Sequence, residues 1–289
     1  MKILITGKTG QVGYELERSM QGLGEIIALG RSQMNLADLT QVRDVIREIK
    51  PNLIINPAAY TAVDQAESEP DIAMRINGEA PGVIAEEAKK LNAAVIHYST
   101  DYVFDGSKNT PYVETDSTCP INVYGRSKLA GEQAIQATGV PHLILRTSWV
   151  YGMRGKNFLL TVLRLAAERN ELRMIADQRG APTWSRTIAD TTAHVVALGK
   201  GMQDPQDWWQ ERSGIYHLTA QGQTTWFEFT QAILENARLA NKPLVMPITA
   251  QDYPLPAKRP AYSSLSCERL MNTFCGLPDW DAALKLCQG

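Results

Sequence analysis

Tyr124 and Lys128 stand four residues apart, a spacing that puts both side chains on one face of a helix. A phenol with an ordinary pKa of about 10 holds its proton tightly at neutral pH. An ammonium beside it favours the phenolate and lowers that pKa towards working pH. The pair then suits general acid catalysis at a carbonyl oxygen that is receiving a hydride. Far upstream lies Gly7-Lys8-Thr9-Gly10-Gln11-Val12-Gly13, straight after the apolar run Lys2-Ile3-Leu4-Ile5-Thr6. Gly7 opens a turn out of a strand, and Gly10 lets a pyrophosphate approach the backbone. Gly13 allows the next helix to pack closely on the sheet. The helix through Val12, Gly13 and Tyr14 follows, and its free N–H groups and positive dipole end suit phosphate. Together the two signals describe a dinucleotide held on a glycine turn and a proton moved through a tyrosine.

These groups need a sheet to position them. Residues 2–6, Glu25–Leu29, Leu53–Ile55, Ala93–Tyr98 and His142–Leu145 read as short buried parallel strands. Helical patterns alternate with them, with a long one between Asp71 and Leu91 and another from Asn122 to about Ala137. This is the pattern of an α/β fold, a doubly wound parallel sheet of the Rossmann kind. Ala93–Tyr98 ends in Ser99-Thr100-Asp101, so Thr100 presents a hydroxyl where such sheets place ligand-facing groups. The second strand is followed by Gly30-Arg31-Ser32, with no carboxylate for a ribose 2′-hydroxyl. Arg31 and Ser32 instead suit a 2′-phosphate, so NADPH is expected over NADH, with NADH possible.

Beyond Trp149 the pattern becomes irregular, and Pro243, Pro247, Pro254, Pro256 and Pro260 mark a loop-rich end. Gly214–Leu218 reads as a strand returning to the sheet. The expected division is a cofactor-binding part, 1–147 with about 171–200 and 214–235, and a smaller α/β substrate lobe, about 148–170 and 236–289. Trp149 offers a flat amphipathic wall for a sugar. Arg259 is a candidate for a diphosphate.

Further blocks specify a family. They are Asn56-Pro57-Ala58-Ala59-Tyr60-Thr61-Ala62-Val63-Asp64, Ser99-Thr100-Asp101-Tyr102-Val103-Phe104-Asp105-Gly106, Arg146–Gly152, Asp177–Thr183 and Arg259–Ser263. With the glycine turn and Tyr124…Lys128, they resemble the extended short-chain dehydrogenase/reductase superfamily acting on nucleotide sugars. The finer resemblance is to the dTDP-4-dehydrorhamnose reductase family, over nearly the whole chain. It implies NADPH-dependent reduction of a C4 ketone, with Tyr124 as acid, Lys128 tuning it and binding ribose, and Thr100 orienting the ketone. It also implies that Gly10, Gln11 and Val12 meet the pyrophosphate, that Asp38 and Leu39 flank the adenine and that Ala58, Ala59, Tyr60, Thr61 and Tyr98 lie along the cofactor. Val63, Asp101, Tyr102 and Trp149 would line the sugar-nucleotide pocket.

The sequence differs from some relatives of this kind. Similar 4,6-dehydratases carry an acidic pair after the threonine; here Asp101-Tyr102 lacks the second acid, which favours reduction. Pro57 stands where small residues are commoner. Some relatives dimerise through a divalent metal, and Glu15 fits one ligand position. Arg186 stands where another acid would be expected and opposes a metal, so no magnesium-bridged dimer is expected. The chain is read as a monomer or weak homodimer. Two other readings remain: another nucleotide-4-ketosugar reductase or epimerase, and a non-catalytic subunit resembling the regulatory subunit of methionine adenosyltransferase. An intact Thr100, Tyr124 and Lys128 disfavours the second.

A net charge of −2 without a basic stripe argues against nucleic acid. No apolar run is long enough to span a bilayer. Cys119, Cys267, Cys275 and Cys287 lack metal-ligand spacing and read as reduced thiols, and with no room for a signal peptide before the first strand a cytoplasmic location is expected.

Overall fold

The computed structural model describes residues 1–202, 204–239 and 242–289. Six parallel strands form the central sheet: β1 (Lys2–Ile5), β2 (Glu25–Ala28), β3 (Leu53–Asn56), β4 (Ala94–Thr100), β5 (His142–Thr147) and the edge strand Gly214–His217. The spatial order is Gly214–His217, β5, β4, β3, β1, β2. Strand residues alternate between two cores, as a period of two requires. Ile3, Ile5, Leu53, Ile55, Ala94 and Ile96 enter one, and Leu4, Ile54, Val95 and Ile144 enter the other. Both faces are therefore buried, which is why these strands read as continuous apolar runs.

One face is covered by α1 (Gln11–Ser19) and the other by α2 (Leu39–Ile49). Short α3 (Val63–Ala66) and α4 (Pro70–Met74) lead through a π-helical turn, Arg75–Glu79, into α5 (Ala80–Lys90). The long helix read between Asp71 and Leu91 is thus one path with a π turn inside it. Helix α6 (Val123–Thr138) carries Tyr124 and Lys128. Asn122 caps it, its Oδ1 accepting from Gly125 N at 2.7 Å, and left-handed Gly139 ends it.

A third core joins α7 (Phe158–Glu168) to strand Glu171–Ile175 and to helices Trp226–Asn236 and Trp280–Gln288. Glu171–Ile175 pairs in parallel with Leu244–Ile248 rather than with the large sheet. Sequence patterns group residues 171–175 and 226–235 with the cofactor-binding part; packing groups them with the smaller lobe. Helix α8 (Ser185–Lys200) packs on α1, on the cofactor side where the sequence pattern groups it, and in the other direction Leu270 and Leu277 of the C-terminal stretch join the sheet's first core. Apolar periodicity marks a buried face without saying which core receives it.

Candidate active site

From β1 the chain runs to β2 on one side and to β3, β4 and β5 on the other. Ligand crevices in open α/β sheets lie outside the carboxyl ends of the strands at such a switch point. A cavity of about 450 Å³ occupies that position. Gly7, Gly10, Gln11, Val12 and Gly13 line it after β1, and Ala58, Ala59 and Thr61 after β3. Tyr98, Ser99, Tyr124, Lys128 and Thr147 line it farther along the sheet.

The cradle fits a dinucleotide. Gly7 has φ +59°, and a Cβ there would sit 2.9 Å from the Cβ of Ala58. No side chain fits at Gly7, the turn's Gly7 and Gly10 line the cavity, and α1 starts at its end. Ser99 Oγ and Thr147 Oγ1 are buried without hydrogen-bond partners and line the same cavity. A carboxamide is the kind of group such hydroxyls would satisfy. Gln11 secures the turn to the lobe, its Oε1 accepting from Asn157 Nδ2 at 2.9 Å, while Asn157 caps α7.

At the adenosine end, exposed Arg31 lines the cavity with Met34, Asn35 and Leu36. Ser32 is exposed and does not line it. Asp38 and Leu39 do not line it either, although Leu36 two residues before Asp38 does. The Asp38 carboxylate caps α2, accepting from Thr40 N at 3.1 Å and Gln41 N at 3.0 Å, and Leu39 packs on the second core. A helix start claims that acid, so the segment just before it meets the cavity instead. Tyr60 likewise serves its own loop. Its hydroxyl donates to Glu69 Oε2 at 2.7 Å and its amide to Asn77 Oδ1 at 2.8 Å.

Lys128 is 2% exposed. Its Nζ donates to the Tyr98 carbonyl at 2.6 Å and lies 3.3 Å from His97 Nε2. Burial pushes its pKa down to about 8, against the opposing pull of Glu132. Tyr124 is pushed up to about 12, by burial first and by the Asp101 carboxylate, with the Thr100 hydroxyl opposing. This corrects the expectation that Lys128 lowers the phenol's pKa. Lys128 Nζ is committed to a carbonyl and an imidazole, and desolvation governs the phenol. Tyr124 consequently keeps its proton throughout the neutral range, which suits an acid.

Thr100 ends β4 and caps the turn Asp101–Val103, accepting from Tyr102 N and donating to Asp101 Oδ1, both at 3.1 Å. Asp101 is 2% exposed, its Oδ2 has no partner, and burial pushes its pKa up to about 7. The Tyr102 ring meets Tyr124 edge-on with centroids 5.9 Å apart.

On the lobe side, Trp149 adopts φ +46°, a conformation strained for a bulky residue. It stacks on Trp226 with centroids 3.5 Å apart, and a Cβ on Gly180 would fall 2.5 Å from its ring. Val63 opens α3 half-buried. The next residue, Asp64, accepts from Arg259 Nη1 at 3.0 Å and Nη2 at 2.8 Å. Arg259 also lines a second cavity of about 660 Å³ with Arg173, Phe158, Trp226 and Tyr253. Sequence reasoning named Arg259 but missed Asp64 and Arg173, because only the folded lobe brings them to it.

The profile described as the RmlD substrate binding domain matches residues 1–288. A dTDP-4-dehydrorhamnose reductase from Burkholderia thailandensis is 49% identical, the match covering 99% of this chain and 98% of that protein. One from Escherichia coli is 47% identical over 99% and 96%. The chain belongs to the dTDP-4-dehydrorhamnose reductase family. A crystal structure of a Bacillus anthracis member in complex with NADP superposes with a TM-score of 0.91 at 34% identity, covering 99% of this chain and 98% of that one. Thermus thermophilus UDP-glucose 4-epimerase shares the fold, with a TM-score of 0.81 at 19% identity.

Members of this reductase family are oxidoreductases, and this chain is one of them. Arg186 lies beside Asp190, Nε to Oδ2 3.7 Å, and over the Trp184 ring. Among the described residues no three His, Cys, Asp or Glu side chains are grouped to hold a metal, and no helix is long and apolar enough to cross a membrane.

Proposed function

We propose that this protein reduces the C4 ketone of dTDP-4-dehydro-6-deoxy-L-mannose (dTDP-4-dehydrorhamnose) to dTDP-L-rhamnose, with NADPH as the reductant and the cytoplasm as its place of work. The observation that carries the reading is one cavity that joins a glycine cradle to a buried tyrosine and lysine. Reduced nicotinamide supplies the hydride when bound. Tyr124 delivers its proton to the C4 oxygen, Thr100 orients that oxygen, and Lys128 holds the nicotinamide ribose. Arg31, without a competing carboxylate, supports NADPH over NADH. The Bacillus anthracis relative solved with NADP supports the same choice. The sheet-bearing part serves the cofactor and the lobe around α7 serves the sugar nucleotide. The larger cavity suits the nucleotide end, since aromatic rings and three arginines, Arg169, Arg173 and Arg259, border it.

The test is NADPH oxidation with enzymatically generated dTDP-4-dehydrorhamnose, against the same 4-ketosugar on other bases. Turnover with a clear preference for the dTDP sugar is expected. Equal turnover on all bases, or none, would overturn the assignment of substrate.

A further inference from the structure

Beneath Lys128 runs a row of buried polar groups to which the reaction assigns no part. Ala58 N donates to Thr6 Oγ1 at 3.2 Å, and Thr6 Oγ1 donates to Asn56 Oδ1 at 2.6 Å. Asn56 Nδ2 faces His97 Nδ1 at 3.1 Å, and His97 Nε2 faces Lys128 Nζ at 3.3 Å. Thr6, Asn56 and His97 are each 1% exposed, so water does not complete their bonds.

The sense of the row follows from its one irreversible end. A backbone N–H only donates, so Thr6 Oγ1 accepts there and has its own proton to give. It gives it to Asn56 Oδ1, which leaves the amide Nδ2, a donor only, facing the imidazole. His97 Nδ1 must then be an acceptor. The neutral ring carries its hydrogen on Nε2, pointing at Nζ. That contact is a hydrogen bond only if Nζ presents a lone pair, while another of its hydrogens serves the Tyr98 carbonyl. Charging the lysine would require Nε2 to accept, the ring proton to move to Nδ1 and the Asn56 amide to turn over. Thr6 would then lose its acceptor inside the core, where an unmade bond is costly.

We propose that Thr6, Asn56 and His97 form a one-way row of hydrogen bonds that favours the free amine of Lys128 over its ammonium while the site is empty, which makes His97 a positioning residue for the cofactor's lysine. Other groups near Nζ are Tyr124 one turn before it on α6 and Glu132 one turn after. The Glu132 carboxylate is taken up by Arg146 of β5, with bonds of 2.9 and 2.7 Å, and so opposes the amine only weakly. The row starts at Ala58, which lines the cofactor cavity against Gly7. Cofactor binding therefore acts on both ends of the row. Its reversal takes one proton from solvent to Nζ, giving the ammonium that can donate to both ribose hydroxyls.

The proposal rests on reading Lys128 as the cofactor's lysine, but its test needs no sugar substrate. Long-range 15N–1H correlation spectra of the ligand-free wild-type protein report each imidazole's tautomer, and the His97 signal is the one lost in His97→Gln. The expected result is a neutral ring at pH 7 with hydrogen on Nε2; an Nδ1–H ring or an imidazolium overturns the proposal. A second measurement is NADPH affinity against pH by fluorescence. Thr6→Val frees Asn56 to turn over, so the midpoint of the pH profile should move to higher pH by half a unit or more. A uniform loss of affinity with an unmoved profile would show a structural role alone and overturn the proposal. If both measurements succeed while no ketosugar is turned over, the substrate assignment fails and the row stands.

Discussion

At the residue scale, burial decides what each group in the site does. Tyr124 is held up at about 12 and Lys128 down at about 8, in both cases first by desolvation. In the empty site burial therefore outweighs any pull of the lysine on the phenol, and the proton stays on the tyrosine. Arg31 works differently, as an exposed cation at the mouth of the cavity. Arg31→Ala should raise KM for NADPH about tenfold and leave NADH almost unchanged, since a charge-assisted phosphate contact is worth roughly 1.5–3 kcal/mol and the exposed site takes the lower end. Steady-state kinetics with both cofactors checks this, and equal effects on the two would remove Arg31 from the 2′-phosphate.

At the element scale, α6 is the part that must not move, because it carries both Tyr124 and Lys128. Besides Lys128 on the Tyr98 carbonyl, it is tied to the sheet by the buried pair of Glu132 with Arg146, 1% and 2% exposed, doubly hydrogen-bonded. Removing one partner leaves a buried charge, so Glu132→Ala should cost about 3–5 kcal/mol. Denaturant unfolding checks this; a loss under about 1 kcal/mol would show that water reaches Arg146. Much of this element layout is legible in the sequence. The strands, the glycine turn and the Tyr124 helix stand where local apolar runs and spacing put them, because a parallel strand buried on both faces leaves a continuous apolar signature. What is not legible depends on partners distant in the chain. Asn56, His97 and Asn157 look like ordinary polar residues until β3, β4 and α7 bring them to Thr6, Lys128 and Gln11. Asp38 looks like an adenine neighbour until α2 claims it as a cap. The helix Trp226–Asn236 has an apolar face whichever core receives it.

At the scale of the whole molecule, burial leaves a pH signature. His217 is pushed down to about 3, by burial and by Arg146, and His97 and His142 are lowered by burial. Each imidazole takes up a proton on unfolding below its ordinary pKa of about 6.5, so the unfolded chain binds more protons and stability falls with acid. Glu87 adds to this. Its carboxylate is held at about 2 by Arg47 and Lys90, and its contribution is present above about 4.5 and lost as pH falls towards 2. Asp101 opposes them, since its raised pKa makes the folded state bind the extra proton between about 4 and 7. Three imidazoles outweigh one carboxyl. Thermal melts from pH 7 to pH 4 should therefore show a steadily falling Tm. A flat or rising Tm over that range would mean that the imidazoles are not held neutral.

The catalytic reading rests on a proton leaving Tyr124. NADPH oxidation with dTDP-4-dehydrorhamnose, measured in the wild type and in Tyr124→Phe, tests it most directly. The variant should lose about 10²–10⁴-fold in kcat while binding NADPH as before, the usual worth of a general acid. Undiminished turnover in the variant would contradict the account, because the proton would then come from a group other than Tyr124.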